Sequence, residues 1–278
     1  MRNRTLIAAA ALVRDTFREA FARKVFWGFF GCSTALILFF IFIMKIDVVQ
    51  GAMATISLFG KEGRAREVEK LVREVHGGIA AFLYTAGVFL SVFASAGLIP
   101  TIFEPGRVEL LLSKPVARYH ILLGRYIGNV LVIAFNMFYL VTAIWIIFGV
   151  KTGVWAHQFL YSTAISVFVF AVLLSVVLVV AVLTESSVVA MMVAFGLMLI
   201  SPITAQRQVI AKLLDSEWSR NLMRGLYYLL PKVFDLGAVS RQVVLGRPVT
   251  DWMPFWSSAL FAAAMLSLGL WAFSRRNY

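Results

Sequence analysis

Ionisable side chains are scarce in this chain of 278 residues, where Asp, Glu, Lys and Arg together make up 14%. A soluble domain carries roughly 25%. Hydrophobic residues reach 61%, so the chain lacks the means to build an ordinary wet surface. Cysteine is nearly absent too. The single Cys32 excludes an intrachain disulfide framework and any Cys-based metal cluster. The three histidines, His76, His120 and His157, are far apart and show no paired ligand spacing, so each is expected to be a solvated loop residue. No G-x-S-x-G elbow occurs. No G-x-x-x-x-G-K-[ST] loop occurs either, because Gly60-Lys61 lacks the upstream glycine. A catalytic centre and an ATP site are thus both missing, and an intramembrane enzyme is disfavoured.

What is present are apolar runs. A bilayer core about 30 Å thick takes about 20 apolar residues per helix. Six segments qualify: 25–44, 79–99, 126–150, 159–183, 186–203 and 253–273, none holding Asp, Glu, Lys or Arg. Thr184-Glu185-Ser186-Ser187 separates the fourth from the fifth. The expected fold is an all-α integral membrane protein with six transmembrane helices (residues 25–278), preceded by a cytoplasmic interfacial helix over 1–24. The absence of buried charge disfavours a proton- or sodium-coupled carrier, since such carriers keep ionisable groups in the membrane.

An even number of spans puts both termini on one side. Lys and Arg number 12 on that side and 14 on the other, so the raw count does not decide. The dense group Arg2, Arg4, Arg14, Arg18, Arg23 and Lys24 just before the first span does, and places both termini in the cytoplasm. The net charge of +12 suits anionic lipid rather than nucleic acid. Leu6, Ala10, Val13, Phe17 and Phe21 form one stripe, with Asp15, Arg18 and Glu19 opposite. That pattern predicts a helix lying on the leaflet; a charged tail with chance periodicity is the alternative.

Within the spans, Gly87, Ser91 and Ser95 form a small-xxx-small ladder, and Asn129 and Asn136 share one face two turns apart. These five residues serve helix packing, or else line a dimer seam or substrate path. Between spans two and three, Pro105-Gly106 and Lys114-Pro115 bracket a segment of about two helical turns, the shape of a docking element or of a plain loop. About 49 residues separate the last two spans, too many for a structureless connection. Ile210, Leu214, Trp218 and Leu222 recur every four residues there, and Leu226 to Leu230 form an apolar run ending at Pro231. An amphipathic surface helix followed by a loop is one reading. A segment dipping into the membrane is the other.

The run Glu109-Leu110-Leu111-Leu112-Ser113-Lys114-Pro115-Val116-Ala117-Arg118, followed by Ile121-Leu122-Leu123-Gly124-Arg125-Tyr126-Ile127-Gly128, resembles the ABC transporter permeases of the ABC type 2 class. The resemblance extends to the six spans and to Leu229-Leu230-Pro231-Lys232-Val233-Phe234-Asp235-Leu236 before the last one. The chain departs from that pattern before the motif, where it has Glu104, Pro105, Gly106 and Arg107, and in a longer first external loop over 45–78.

The resemblance implies a permease subunit of an ATP-driven exporter in a prokaryotic cell membrane. Its partners would be separate ABC ATPase subunits, a second permease copy or homologue, and membrane lipids. No cofactor is expected on this chain, ATP and Mg being held by the ATPase. The resemblance implies a coupling helix within 104–118, with Glu104, Arg107, Glu109, Leu111, Ser113, Pro115 and Arg118 as docking residues. It also implies re-entrant helices in 204–252 that close the outer end of the path, with Tyr227, Tyr228, Leu230 and Pro231 at the gate. The substrate path would be lined by spans two and five. A non-transporting membrane anchor in a larger complex is the rival from another class.

Overall fold

The computed structural model describes residues 14, 18, 21–22, 24–42, 44–49, 53–58, 61–62, 66–96, 118–207, 209–210 and 216–275. Its helices are α1 (Lys24–Phe42), α2 (Val68–Phe82, running through a π-helical turn Leu83–Gly87 into Val88–Ala96), α3 (Arg118–Thr152), α4 (Gln158–Thr184), α5 (Ser187–Ala205), α6 (Glu217–Leu229), α7 (Val233–Val244) and α8 (Met253–Arg275). Five helices, α2, α3, α4, α5 and α8, are long and apolar enough to cross a membrane; the apolar part of α1, Phe26–Phe42, is shorter.

α4 organises the bundle. It is apolar on every side, as a helix enclosed by others must be, and 78% of its 18-residue apolar stretch is buried. Its serines keep their hydroxyls off the packing surfaces by bonding back to their own helix: Ser162 Oγ donates to Phe159 O at 2.6 Å and Ser175 Oγ to Val172 O at 2.6 Å. Val88 and Val92 of α2, Ile133 of α3, Ala190 and Ala194 of α5 and Phe273 of α8 surround it in the larger core. Gly269 of α8 lies so close to Leu178 that a Cβ there would meet its methyl at 2.4 Å.

The turns follow from local chemistry. Glu185, at φ 54°, ends α4 in the left-handed region, and the Ser186 hydroxyl accepts from Val189 N at 3.4 Å to start α5. The Thr184–Ser187 interruption expected from the sequence is therefore a tight helix-to-helix reversal. Between α3 and α4 the Trp155 ring lies against Gly149, where an added Cβ would meet it at 2.6 Å. At the same end Lys151 Nζ donates to the carbonyls of Phe40 and Ile41 at 3.0 and 2.9 Å, holding the end of α1.

Five expectations are corrected. The 45–78 connection is not a bare loop: β1 (Met44–Val49) and β2 (Met53–Leu58) pair antiparallel from Met44↔Leu58 to Val49↔Met53. The short β3 (Lys61–Glu62) and β4 (Arg66–Glu67) both pair with β2. α1 accordingly ends at Phe42, before Met44. The second apolar helix starts at Val68 rather than near 79, its first turns held by an Arg73–Glu69 ion pair of 2.6 Å. His76 is thus helical and buried, not solvated. It stacks on Phe159 at 4.3 Å and tilts against Phe148. His120 likewise sits in α3 and is half-buried, whereas His157 is exposed beside the start of α4.

Candidate functional site

The connection between α5 and α8 folds over one end of the bundle. α7 is the embedded part. Val233, Leu236 and Val239 enter the larger core around α4, and Val244 enters the smaller core with Val72, Phe148 and Phe159. The docking is specific. Tyr84, in the π-helical turn of α2, lies against Gly237, where a Cβ would meet its ring at 2.7 Å. The same phenol donates a hydrogen bond to Val233 O. A side chain at 237 would push the two helices apart, so glycine is needed there for close approach. Farther along, Leu245 contacts Gly77 of α2. Because His76 also stacks on Phe159 near the start of α4, this connection covers the end of the bundle that carries the α3–α4 turn. Residues 97–117 leave from the other end of α2.

The link between α6 and α7 is tied down by polar contacts. Lys232 N donates to Ser258 Oγ at 3.0 Å, and Phe234 N donates to Ser201 Oγ at 2.8 Å. The helix N-terminal amides that would otherwise be orphaned thereby join α7 to α8 and α5. Lys232 Nζ donates to Tyr227 O at 3.0 Å and stands 4.6 Å from the Tyr227 ring centre, while Arg207 lies over the same ring at 3.5 Å. The Tyr227 hydroxyl donates to Asp235 Oδ2 at 2.8 Å. Burial and that carboxylate raise the Tyr227 phenol above its ordinary value. Burial lowers the Lys232 ammonium, with Asp235 opposing the shift. A cleft of about 490 Å³ opens beside this group, walled by Arg207, Tyr227, Asp235, Gln242, Thr250 and Asp251.

Of the four residues the sequence nominates for the gate, Tyr227 is buried at the centre of this network and Pro231 is buried at the link. Leu230 is half-buried, and Tyr228 faces outward at 63% exposure. The sequence reading missed Tyr84, Arg207, Lys232, Asp235 and Gly237. Lys232 and Asp235 bracket Val233-Phe234 in the Leu229–Leu236 run, and charges in an otherwise apolar segment were the available signal. Trp218 and Leu222 lie on α6 as expected, Ile210 is helical, and Leu214 is outside the described residues.

The packing candidates separate. Ser91 and Ser95 are buried, and Ser91 Oγ bonds back to Gly87 O at 2.6 Å. Asn129 is buried with no partner for either amide atom, while Asn136 Oδ1 accepts from Ser33 Oγ at 2.9 Å. Spans two and five meet through stacked Phe89 and Phe195 rings at 4.2 Å. Among the coupling candidates, Glu104, Arg107, Glu109, Leu111, Ser113 and Pro115 lie outside the described residues, and Arg118 opens α3. Of the expected N-terminal helix, Arg14, Arg18, Phe21 and Ala22 are helical and exposed, and Trp27 Nε1 donates to Phe21 O at 2.8 Å. No group of His, Cys, Asp and Glu able to hold a metal occurs among the described residues.

No curated protein matches the chain. The family model described as ABC-2 family transporter protein matches residues 10–278, which takes in the apolar helices, the 104–118 segment and the α6–α7 connection together. A multi-pass membrane permease subunit, not itself an enzyme, is what that family and these helices make of it, and the chain belongs to the ABC-2 transporter family.

Proposed function

We propose that this chain is the membrane-spanning subunit of an ATP-driven exporter in a prokaryotic cell membrane. Six helices, α1 to α5 and α8, cross the bilayer, with both termini and the 97–117 connection in the cytoplasm. Two such subunits, or one and a homologue, enclose the substrate path between α2 and α5 of each. Separate ATPase subunits, which carry the ATP and Mg, dock on 104–118. The observation that carries this reading is the family match over residues 10–278, which includes the Glu109–Arg118 run.

The geometry around α7 supports the same reading. A coupling segment at the far end of α2 can act on the outer end only through helices that reach both, and α2 does. Tilting α2 on ATP-driven closure would carry Tyr84 with it and pull on Val233 and Gly237, opening the α6–α7 cap. Packed interfaces of this kind rearrange between discrete states rather than bending continuously. Tyr227, Tyr228, Leu230 and Pro231 then belong to the moving gate, with Tyr227 as its anchor.

The test is assembly with the ATPase that co-purifies from the source membrane. Replacing Glu109→Arg or Leu111→Asp removes a few contacts at a small desolvated interface, a loss of about 2–5 kcal/mol. The ATPase is expected to dissociate or to lose its stimulation, while the chain stays inserted and monodisperse. Normal assembly and stimulation in both variants would reject the coupling assignment.

A further inference from the structure

A second feature runs along the contact between α2 and α7. Gly237 of α7 stands against Tyr84 of α2, and Leu245, just past the end of α7, stands against Gly77. The two helices therefore run antiparallel over about 10–12 Å. A cleft of about 510 Å³ lies along this contact, a volume within the ordinary range of ligand sites, about 300–1,000 Å³. Ala81, Thr85 and Phe234 wall it toward the Tyr84 end, and Arg241, Gln242 and Arg247 wall it toward the Gly77 end.

Both arginines are exposed. Neither makes an ion pair among the described residues, and no Asp or Glu lines the cleft. Glu67, Glu69 and Glu74 line a neighbouring cleft that shares Arg247, but Glu69 is already paired with Arg73 at 2.6 Å. Nor are the arginines needed to cap α7. Arg247 N donates to Gln242 O at 2.9 Å and Gly246 N to Val243 O at 3.0 Å, so backbone amides close the helix end. Gly246, at φ 74°, makes that reversal possible and returns the chain to α7 at Arg247. Two cations thus face one cleft with no counter-charge in its walls.

The cleft also joins two environments. Glu74 is the last charged residue of α2, so the arginine end lies next to the charged turns of that helix and the other end beside its charge-free stretch. There Phe234 is 45% exposed, and Thr85 Oγ1 donates back to Ala81 O at 3.1 Å, which satisfies its hydroxyl. Basic at the membrane surface and apolar below is the profile that an anionic lipid complements. We infer that this cleft seats one anionic phospholipid of the leaflet at the α3–α4 end, its phosphate on Arg241 and Arg247 and an acyl chain along Ala81, Thr85 and Phe234. The planar guanidinium fork matches phosphate oxygens two at a time. The inference requires only that α2 spans a bilayer, and it stands whether or not the exporter reading does.

The experiment uses the full chain in phosphatidylcholine nanodiscs doped with phosphatidylglycerol that carries a photoactivatable diazirine near the top of one acyl chain. Phosphatidylcholine with the same label is the control, and adducts are mapped by peptide mass spectrometry. Saturable labelling of residues 81–85 and 234–238 by the phosphatidylglycerol probe is expected, with only non-saturating labelling by the control. Arg241→Gln and Arg247→Gln should each weaken it about fivefold, and the double variant by more than about tenfold. Arg224→Gln, at an exposed position on α6, should leave it unchanged. Ala238→Glu sets a carboxylate at an exposed position in the cleft wall and should weaken labelling about as much as a lost arginine, whereas Ala238→Gln should not. That pair decides the matter if an arginine variant fails to insert. Equal labelling by the two probes overturns the inference, and so does an equal loss in Arg224→Gln, which reduces the effect to diffuse charge. Displacement by millimolar inorganic phosphate makes the ligand a soluble anion and overturns it as well. Disulfide cross-linking of two copies carrying Cys32→Ser and Ala238→Cys, without phosphatidylglycerol labelling, does the same, because a second subunit then covers the cleft.

Discussion

α6 and α7 are neighbours of 13 and 12 residues, yet they sit in opposite environments. α6 has the sharper division into apolar and polar faces, but among its residues only Tyr227 is buried, while Trp218 and Leu229 are 72% and 68% exposed. α7 has the weaker pattern and buries Val233, Leu236, Val239, Ser240 and Val244. Amphipathicity says that a helix lies at a boundary between polar and apolar surroundings; it does not say whether the apolar side is protein or lipid. Here the strongly two-faced helix presents its apolar side outward, as an interfacial helix does. The other is held by a shape match, a tyrosine ring on a glycine.

The largest expected effect breaks the comparison outright. Leu236→Asp puts an uncompensated carboxylate where 1% of the side chain is exposed, a destabilisation on the order of 3–5 kcal/mol. Thermal scanning in detergent should show loss of the cooperative transition, and an unchanged midpoint would mean that α7 is not core. A smaller effect comes from Gly237→Leu, which forces the Tyr84 ring away at about 1–3 kcal/mol. In a Cys32→Ser background, a cysteine at Val239 should then react faster with a thiol reagent, whereas one at Tyr228 should keep its rate. Equal acceleration at both sites would show that α6 and α7 detach as one unit. The smallest effect is Trp218→Ser, within about ±0.5 kcal/mol for the fold. Quenching by brominated lipids of a fluorophore at Leu222 should nonetheless fall as α6 loses its hold on the leaflet. A shift in melting temperature without a change in quenching would move α6 from the lipid class to the protein class.

The same contrast explains what was legible in the chain itself. The charge-free runs lie within about two residues of α4, α5 and α8, because a bilayer-length helix must be apolar throughout and its ends must meet polar groups, whereas α3 starts earlier, at Arg118. The start of α2 was hidden. Val68–Phe82 carries Glu69, Lys70, Arg73, Glu74 and His76, so it does not read as a span, although it continues the same helix and buries Val72 and His76 against α3 and α4. The β1–β2 pair was readable in hindsight, from β-branched residues on both sides of Gly51, but a hydropathy scan registers only a gap. Tyr227 and Pro231 stand out in the sequence at the end of an apolar run, and both are buried in the structure. Tyr84 and Gly237 do not stand out, since a contact between residues 153 positions apart leaves no local trace.

The helix that organises the bundle is made after α1, α2 and α3. α4 ends at Thr184 and α1 ends at Phe42, so at a synthesis rate of 5–20 residues per second roughly 7–28 s separate the two. During that interval α2 and α3 are completed, and until α4 follows they lack the partner that later buries Val88, Val92 and Ile133. Asn129, fully buried in the finished bundle, would then be a group that marks an unfinished molecule. A surveillance protease or insertion chaperone that senses polar side chains in the bilayer would have its window there, and a chain truncated before residue 158 should be cleared far faster than one truncated after 184.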